Sequence, residues 1–361
     1  MSKIFNVAVI GCGIGRSHIL EGYATNPDKF SVKVLCDLNV ERMTPIADEF
    51  GIERRETNFD DVLKMDDIDI IDVCTPPGLH FPMVMAALKA GKHVVCEKPL
   101  VGSLAEIDQV IEEEKRSKGK LMPVFQYRFG DGIEQAKAII DAGLAGKPYV
   151  GTVETMWRRE AAYYAVPWRG KWKTELGGVL MGHAIHPHDI FTYLMGDIAR
   201  VFGRVATRVN PIEVEDTISA SLEMASGALA SLTATLGSAD EISRIRLHFE
   251  NVTIESDHAP YNPGAKFWNI QPRNDETKAK IDALLANWQH VPSRFQTQMA
   301  RFHDALTGKG ELPVTSADSR RSLELVTALY HSSHTHEDVA LPIGPGHPLY
   351  ESWVPVEFRA A

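Results

Sequence analysis

Positive charge is in deficit in this 361-residue chain: 38 lysines and arginines face 48 aspartates and glutamates, for a net charge of −10. Phosphate backbones need a basic face, so no nucleic-acid partner is expected. Cysteine is scarce. Its four residues, Cys12, Cys36, Cys74 and Cys96, all lie in the first hundred positions, each near the end of a predicted strand. That spacing suits neither a disulfide framework nor a zinc knuckle, and they read as reduced core thiols of a cytoplasmic protein. No apolar run approaches the roughly eighteen residues of a membrane span, so no membrane partner is expected. The opening "MSKIFNVAVIGCG" passes straight into a strand, which leaves no signal peptide to expect. Internal repeats and low-complexity tracts are lacking too. What remains, 44% hydrophobic and 24% charged, is the balance of a soluble globular protein, and its length calls for two domains.

In the first third, short β-branched runs alternate with helical patterns. "FNVAVIG" leads into a helix over "CGIGRSHILEGYATNP", "SVKVLCD" into "NVERMTPIADEFG", and "IDIIDVCTPP" into "HFPMVMAALKAG". That alternation predicts an α/β domain over 1–123, a Rossmann-like doubly wound parallel sheet. Gly11 and Gly13 permit a tight first turn and a close backbone approach to a pyrophosphate at a helix N-terminus. Ile14 belongs to the same loop. The third glycine of this fingerprint would fall at position 16, which is Arg16; Gly15 stands one place early. Asp37, at the end of the second strand, can accept hydrogen bonds from an adenine ribose and would repel a 2′-phosphate, which favours NAD over NADP. The plainer reading of Asp37 is a turn cap. Arg42 pulls the other way, since it could reach a phosphate from the next turn.

"KHVVCEKPL" at 92–100 reads as a buried parallel strand that closes on an ion pair and a proline, which strands of that kind rarely do. Ligands of open α/β sheets bind at the carboxyl ends of the strands. Three such ends line up here: Gly11–Gly13, "TPPGLH" at 75–80 and "CEKPL" at 96–100. Lys98 would project there, beside a nicotinamide; the alternative is a lysine that merely neutralises Glu97. These pieces, with "VIGCGIGRSH", "CDLNVERM", "GGVLMGHAIHPHDIFTYLMG" and "TSADSRRSLELVTALYHSSHTHEDVALPI", resemble the Gfo/Idh/MocA oxidoreductases over residues 3–343. The family is named for glucose-fructose oxidoreductase and inositol dehydrogenase. The resemblance implies that Lys98 is catalytic and that Glu97 and His80 border the nicotinamide ribose, with Thr75 and Pro76 beside the cofactor. It further implies that Gln126, toward the cofactor, and Arg128, toward the substrate, enter the active-site floor. An ammonium near a cationic ring is disfavoured, which lowers its pKa and suits it to a substrate hydroxyl.

From about residue 124 the pattern changes, and 124–361 is expected to form an α+β domain for substrate binding and oligomerisation, with a large open, mostly antiparallel sheet. In "TISASLEM" one face is apolar, Ile218, Ala220, Leu222 and Met224, while Thr217, Ser219 and Ser221 make the other flat. The apolar face should cover helices of its own chain, and the flat one suits another sheet. The resemblance implies a homodimer or homotetramer. In "GGVLMGHAIHPHDIFTYLMG" the family holds an aspartate, three residues, then a histidine; here the histidine is His186, but the aspartate position is Gly182. His186 titrates in the range of a general base. Asp189 matches a position that contacts sugar hydroxyls. His183, His186, His188 and Asp189 can also be read as metal ligands, but no distant Cys or Glu completes such a set, and none is expected. His188 reads as a helix-surface residue. Between the motifs, "MWRREAAYYAVPWRGKWKTE" offers Trp157 and Trp168 to stack on sugar faces and Arg158 and Arg169 to hold hydroxyls or a carboxylate. The same arm could instead pack on a neighbouring subunit.

The reading is an NAD-dependent dehydrogenase acting on a secondary hydroxyl of a sugar, glycoside or cyclitol, with Lys98 and His186 polarising the hydroxyl and taking its proton. The rivals are an NAD-retaining redox glycosidase and a non-catalytic dinucleotide sensor. Gly182 leaves either room for a bulky substrate group or a vacancy that His183 fills.

Overall fold

The computed structural model describes residues 3–359 and divides into two compact units. The first is a six-stranded parallel sheet in the order β3-β2-β1-β4-β5-β6, from Arg54–Glu56, Phe30–Cys36, Phe5–Ile10, Ile70–Val73, His93–Cys96 and Leu121–Pro123. Strand order reverses beside β1, as a doubly wound sheet requires, and this sets the first turn at the switch point where such sheets bind ligands. The β-branched residues account for the strands: Val7, Val34, Ile70, Ile71, Val73, Val94 and Val95 are wholly buried. Local signals end the helices. Asn39 caps Val40–Phe50 by accepting from the Arg42 N–H at 2.9 Å, and Gly51, at φ +64°, stops it in the left-handed region.

The first unit does not end at residue 123. It takes the chain through Phe125 and then recovers Phe295–Arg320, while Gln126–Arg294 and the residues from Arg321 make the second unit. The returning helix, Phe295–Leu306, lies on the turn His18–Tyr23, where a Cβ at Gly22 would stand 3.1 Å from Met299 and 3.3 Å from Phe295. Gln298 donates to the Pro123 carbonyl at 2.8 Å, and the Asn26 amide donates to the Gln296 carbonyl at 3.0 Å. A single cut at 123/124 missed this because an amphipathic helix carries no mark of which sheet it covers.

The second unit is built on an eight-stranded sheet in the order β13-β12-β11-β7-β10-β9-β8-β14. These strands are Asn269–Pro272, Val252–Glu255, Gly237–Phe249, Pro148–Arg158, Leu229–Thr235, Thr217–Met224, Ile198–Ala206 and Val339–Ala340. All neighbours run antiparallel except β7 and β10. Along β9 the expected alternation holds: Ile218, Ala220, Leu222 and Met224 are buried, whereas Ser219 and Ser221 are exposed. The helix Ile185–Met195 covers the buried face, and Gly151 of β7 makes room for it, since a Cβ there would meet Phe191 at 2.5 Å. Among the described residues no helix is long and apolar enough to cross a membrane.

Candidate active site

In the first unit the glycines do different work. Gly11, at φ +100°, passes so close to β4's exit that a Cβ would lie 2.6 Å from the Cys74 carbonyl oxygen. A Cβ at Gly13 would meet nothing within 4 Å, so its backbone is open to a ligand. Gly15 takes the close helix–strand contact of the third glycine one position early: a Cβ there would stand 2.8 Å from Val9 of β1. Arg16 points outward and pairs with Glu49 at 2.6 Å. Ile14 is exposed on the same turn.

Asp37 ties this turn together. Its two oxygens accept from the Cys12 N–H at 2.6 Å and the Asn39 N–H at 2.8 Å, and Arg42 donates to both at 3.0 and 3.1 Å. Burial works against its charge, but the backbone donors and Arg42 outweigh it and hold the carboxyl below the usual range. Arg42 is thus engaged by Asp37, the group expected to oppose it. The turn cap and the ribose acceptor are the same residue.

At the ends of β4 and β5, Thr75 is half-buried, Pro76 exposed, Glu97 buried and Lys98 half-buried. Glu97 accepts from the Lys98 N–H at 3.1 Å and faces His18 at 2.9 Å. His80 is 1% exposed, with one ring nitrogen 2.7 Å from the Pro99 carbonyl and the other 2.8 Å from that of Thr75. Burial lowers its pKa, and a neutral imidazole has one N–H, so it donates to only one of these two carbonyls. His18, Asp72 and Tyr23, which the sequence reading did not single out, join Glu97 in one buried network.

In the second unit, Gly177 and Gly178 lie against Glu215, whose carbonyl a Cβ at Gly178 would approach to 1.7 Å. The Glu215 carboxylate accepts from the Gly178 N–H at 3.0 Å, the Leu180 N–H at 2.9 Å and the Tyr330 hydroxyl at 2.8 Å. Burial nevertheless pushes its pKa up to about 7. Nothing in "EVEDTI" announces this anchor. It fixes the π-wound turn Leu180–Ala184, from which the helix Ile185–Met195 continues. His186 is buried and stacks on Tyr127, ring centroids 4.4 Å apart. Beside them Gln126 is buried, its side-chain oxygen with no hydrogen-bond partner among the described residues.

Asp189 and Arg128 do not each present a group outward. They form a bidentate pair at 2.5 and 2.6 Å, 2% and 3% exposed, and so brace the helix against the segment Gln126–Arg128. His188 is not a surface residue: it is 2% exposed, and burial drops its pKa to about 3, so it stays neutral. The helix is covered on nearly every side, which its periodicity could not tell.

The aromatic arm folds inward. Trp157 is buried and donates to the Ser243 hydroxyl at 3.1 Å, while Arg158, its neighbour on β7, is exposed. The cation that faces in is Arg159, over the rings of Trp157, Tyr163 and Tyr261 at 5.3, 5.1 and 5.4 Å. It donates to His183 Nε2 at 3.2 Å, which makes that nitrogen an acceptor and leaves His183 a neutral imidazole in this arrangement. Arg169 lies over Tyr163 and Trp168 at 4.0 and 4.4 Å and pairs with Glu175 at 3.5 Å. Glu175 is buried and also accepts from the Gly170 N–H at 2.5 Å. Within the second unit it is the group nearest to where a side chain at Gly182 would begin, with Oε1 3.7 Å from that Cβ. The room expected at Gly182 is therefore bordered by a carboxylate supplied from outside the motif.

Residues 5–125 match the family described as "Oxidoreductase family, NAD-binding Rossmann fold", and residues 133–255 match the GFO/IDH/MocA C-terminal domain. The chain is 29% identical over 344 residues to the oxidoreductase YrbE of Bacillus subtilis, covering 92% of this chain and 95% of that one. It is 28% identical over 263 residues to the levoglucosan dehydrogenase of Pseudarthrobacter phenanthrenivorans, covering 64% and 67%. Among solved structures it resembles the WlbA dehydrogenase from Bordetella pertussis in complex with NADH and UDP-GlcNAcA, with a TM-score of 0.84, 26% identity and coverage of 95% and 100%.

Proposed function

The chain belongs to the Gfo/Idh/MocA oxidoreductases, an NAD-dependent enzyme family, and from that premise we propose that it oxidises a secondary hydroxyl of a sugar, glycoside or cyclitol, or reduces the corresponding ketone. The observation that carries the reading is the end of β5, where the Glu97 carboxylate accepts from the Lys98 N–H and fixes the backbone of a half-buried lysine at the carboxyl edge of the sheet. The chain fits the cofactor: Gly11 has no space for a Cβ, Gly13 lies open, and Asp37 presents an ionised carboxylate at the end of β2. Bound NAD supplies the hydride acceptor.

The chain's residues do the rest. The backbone at Gly11–Gly13 takes the pyrophosphate, and Asp37 takes the adenine ribose hydroxyls. Lys98 hydrogen-bonds the substrate hydroxyl and polarises it, and His186 receives the proton. Tyr127, stacked on the imidazole, fixes its plane. His183, held by Arg159, lines the pocket rather than carrying the proton. Relatives with levoglucosan and a nucleotide-linked uronic sugar in their names support a carbohydrate substrate. The test is to incubate the protein with NAD and a panel of sugars, uronates, glycosides and inositols, and to follow reduced nicotinamide. Turnover of one class identifies the substrate. No turnover on any member, with no oxidation of NADH by the matching keto-sugars, would overturn the reading.

A further inference from the structure

His18 is 0% exposed on the π-wound turn His18–Tyr23, and both of its ring nitrogens face carboxylates. Nδ1 lies 2.9 Å from Asp72 Oδ2, and Nε2 lies 2.9 Å from Glu97 Oε1. A neutral imidazole has one N–H and one lone pair, so it can satisfy only one of them. The arrangement closes with a proton on each nitrogen, giving two charge-assisted hydrogen bonds around one cation. The other groups at the ring are known. Tyr23, on the same turn, donates to Asp72 at 3.0 Å; Cys74, past β4, lies 3.4 Å from Nδ1; and from the helix Phe295–Leu306 the Phe295 ring packs 4.5 Å away. Burial opposes the charge, but Asp72 and its neighbours raise the imidazole well above its ordinary range, and burial holds the Cys74 thiol protonated.

The network continues toward the reaction. The second Glu97 oxygen accepts from the Lys98 N–H at 3.1 Å. Two carboxylates and one imidazolium thus lie beneath the strand end that carries Lys98. We infer that His18 is a positioning residue for Lys98: it clamps Glu97, which holds the Lys98 backbone, and its charge cancels one of the two buried carboxylates that would otherwise draw the ammonium toward full protonation. This rests on the reading of Lys98 as the group that acts on the hydroxyl.

Two measurements test it. In cofactor-free protein with labelled histidines, NMR should show His18 with both nitrogens still protonated above the usual histidine pKa of about 6.5. A neutral His18 at neutral pH would overturn the proposal. In His18→Gln the side chain is neutral and its carbonyl oxygen cannot donate, so the two carboxylates lose the cation they share. Its kcat should fall at least tenfold while the Kd for NADH stays within about threefold, and the acid limb of the pH–rate profile should move up by about one unit or more, since lost positive charge favours protonated Lys98. A variant that is merely less heat-stable, with kcat and limb unchanged at a permissive temperature, would overturn it. If His18→Gln does not fold, the NMR titration decides alone. The two readings fail separately: an active Lys98→Ala removes the role of Lys98, whereas a dead Lys98→Ala beside an undisturbed His18→Gln removes only that of His18.

Discussion

Placing a carboxylate at position 182 tests how Glu175 fills the space the motif leaves open. The backbone at Gly182 does not require glycine, and a Cβ there would make ordinary contact, 3.7 Å from Glu175 Oε1. Gly182→Ala should therefore stabilise slightly, by about 0.5–1 kcal/mol, as in other helical turns. Gly182→Asp adds a second carboxylate within hydrogen-bonding reach of the first. Two like charges about 4 Å apart repel by about 4 kcal/mol at an effective dielectric of 20, equivalent to roughly three pKa units. The pair should then hold one proton at low pH. A carboxyl whose folded pKa is raised keeps its stability below the unfolded pKa and loses it as pH rises through the folded value, so the penalty should grow from pH 5 to pH 8. The assay is thermal melting of wild type, Gly182→Ala, Gly182→Asp, Glu175→Gln and the Glu175→Gln/Gly182→Asp double variant at both pH values. The double variant should recover most of the loss at pH 8, a favourable coupling of about 2–4 kcal/mol. If Gly182→Asp melts with Gly182→Ala at pH 8, or if Glu175→Gln gives no relief, Glu175 does not occupy that space.

Lys98→Ala should lower kcat by about 10²–10⁴-fold while NADH binding, followed by fluorescence, is nearly unchanged; near-normal turnover would make Lys98 structural. Asp37→Ser should raise the NADP-to-NAD affinity ratio at least tenfold in paired titrations, because it removes a repelling charge and releases Arg42, and should weaken NAD as well because two backbone donors lose their acceptor. An unchanged ratio would count against Asp37 as the selector. Glu215, raised by burial to about 7, gives full stability below about pH 4.5 and loses about 3 kcal/mol as pH rises through 7. Glu215→Gln should flatten the melting temperature between pH 5 and 8, and an unaltered slope would show that Glu215 does not titrate there.

Much of the first unit was legible because strands buried on both faces are continuous apolar runs, and its ligand edge follows from strand order. The glycine that seemed out of register at 15 still meets Val9, since what the fold needs is a missing Cβ opposite β1 and not a fixed count. The second unit was less legible. Which of two adjacent arginines faces inward depends on where β7 meets its alternation, and a shift of one residue exchanges Arg158 for Arg159. Glu215 comes from a segment far from the motif it serves and Glu175 from just before it, and the spacing within that motif says nothing of either.

Asp72 shows where a closer physical reading would have gone further. In "IDIIDVC" the second carboxylate, Asp72, stands between Ile71 and Val73, and β4 is buried at all four of its positions. An ionised group in such a strand cannot be left unpaired, so the sequence already demanded a buried donor within reach. Asp72 pairs in register with Val9 of β1, two residues before the glycine turn, and the helix leaving that turn is the nearest source of side chains over this edge. The first polar residues on it able to donate a charged hydrogen bond are Arg16, which would have to be buried beside Gly15, and His18, two residues further on. Only His18 suits a closed site between two carboxylates, since its two nitrogens point in opposite directions. The misplaced charge, taken as a demand for a partner, leads from one strand to the residue beneath Lys98.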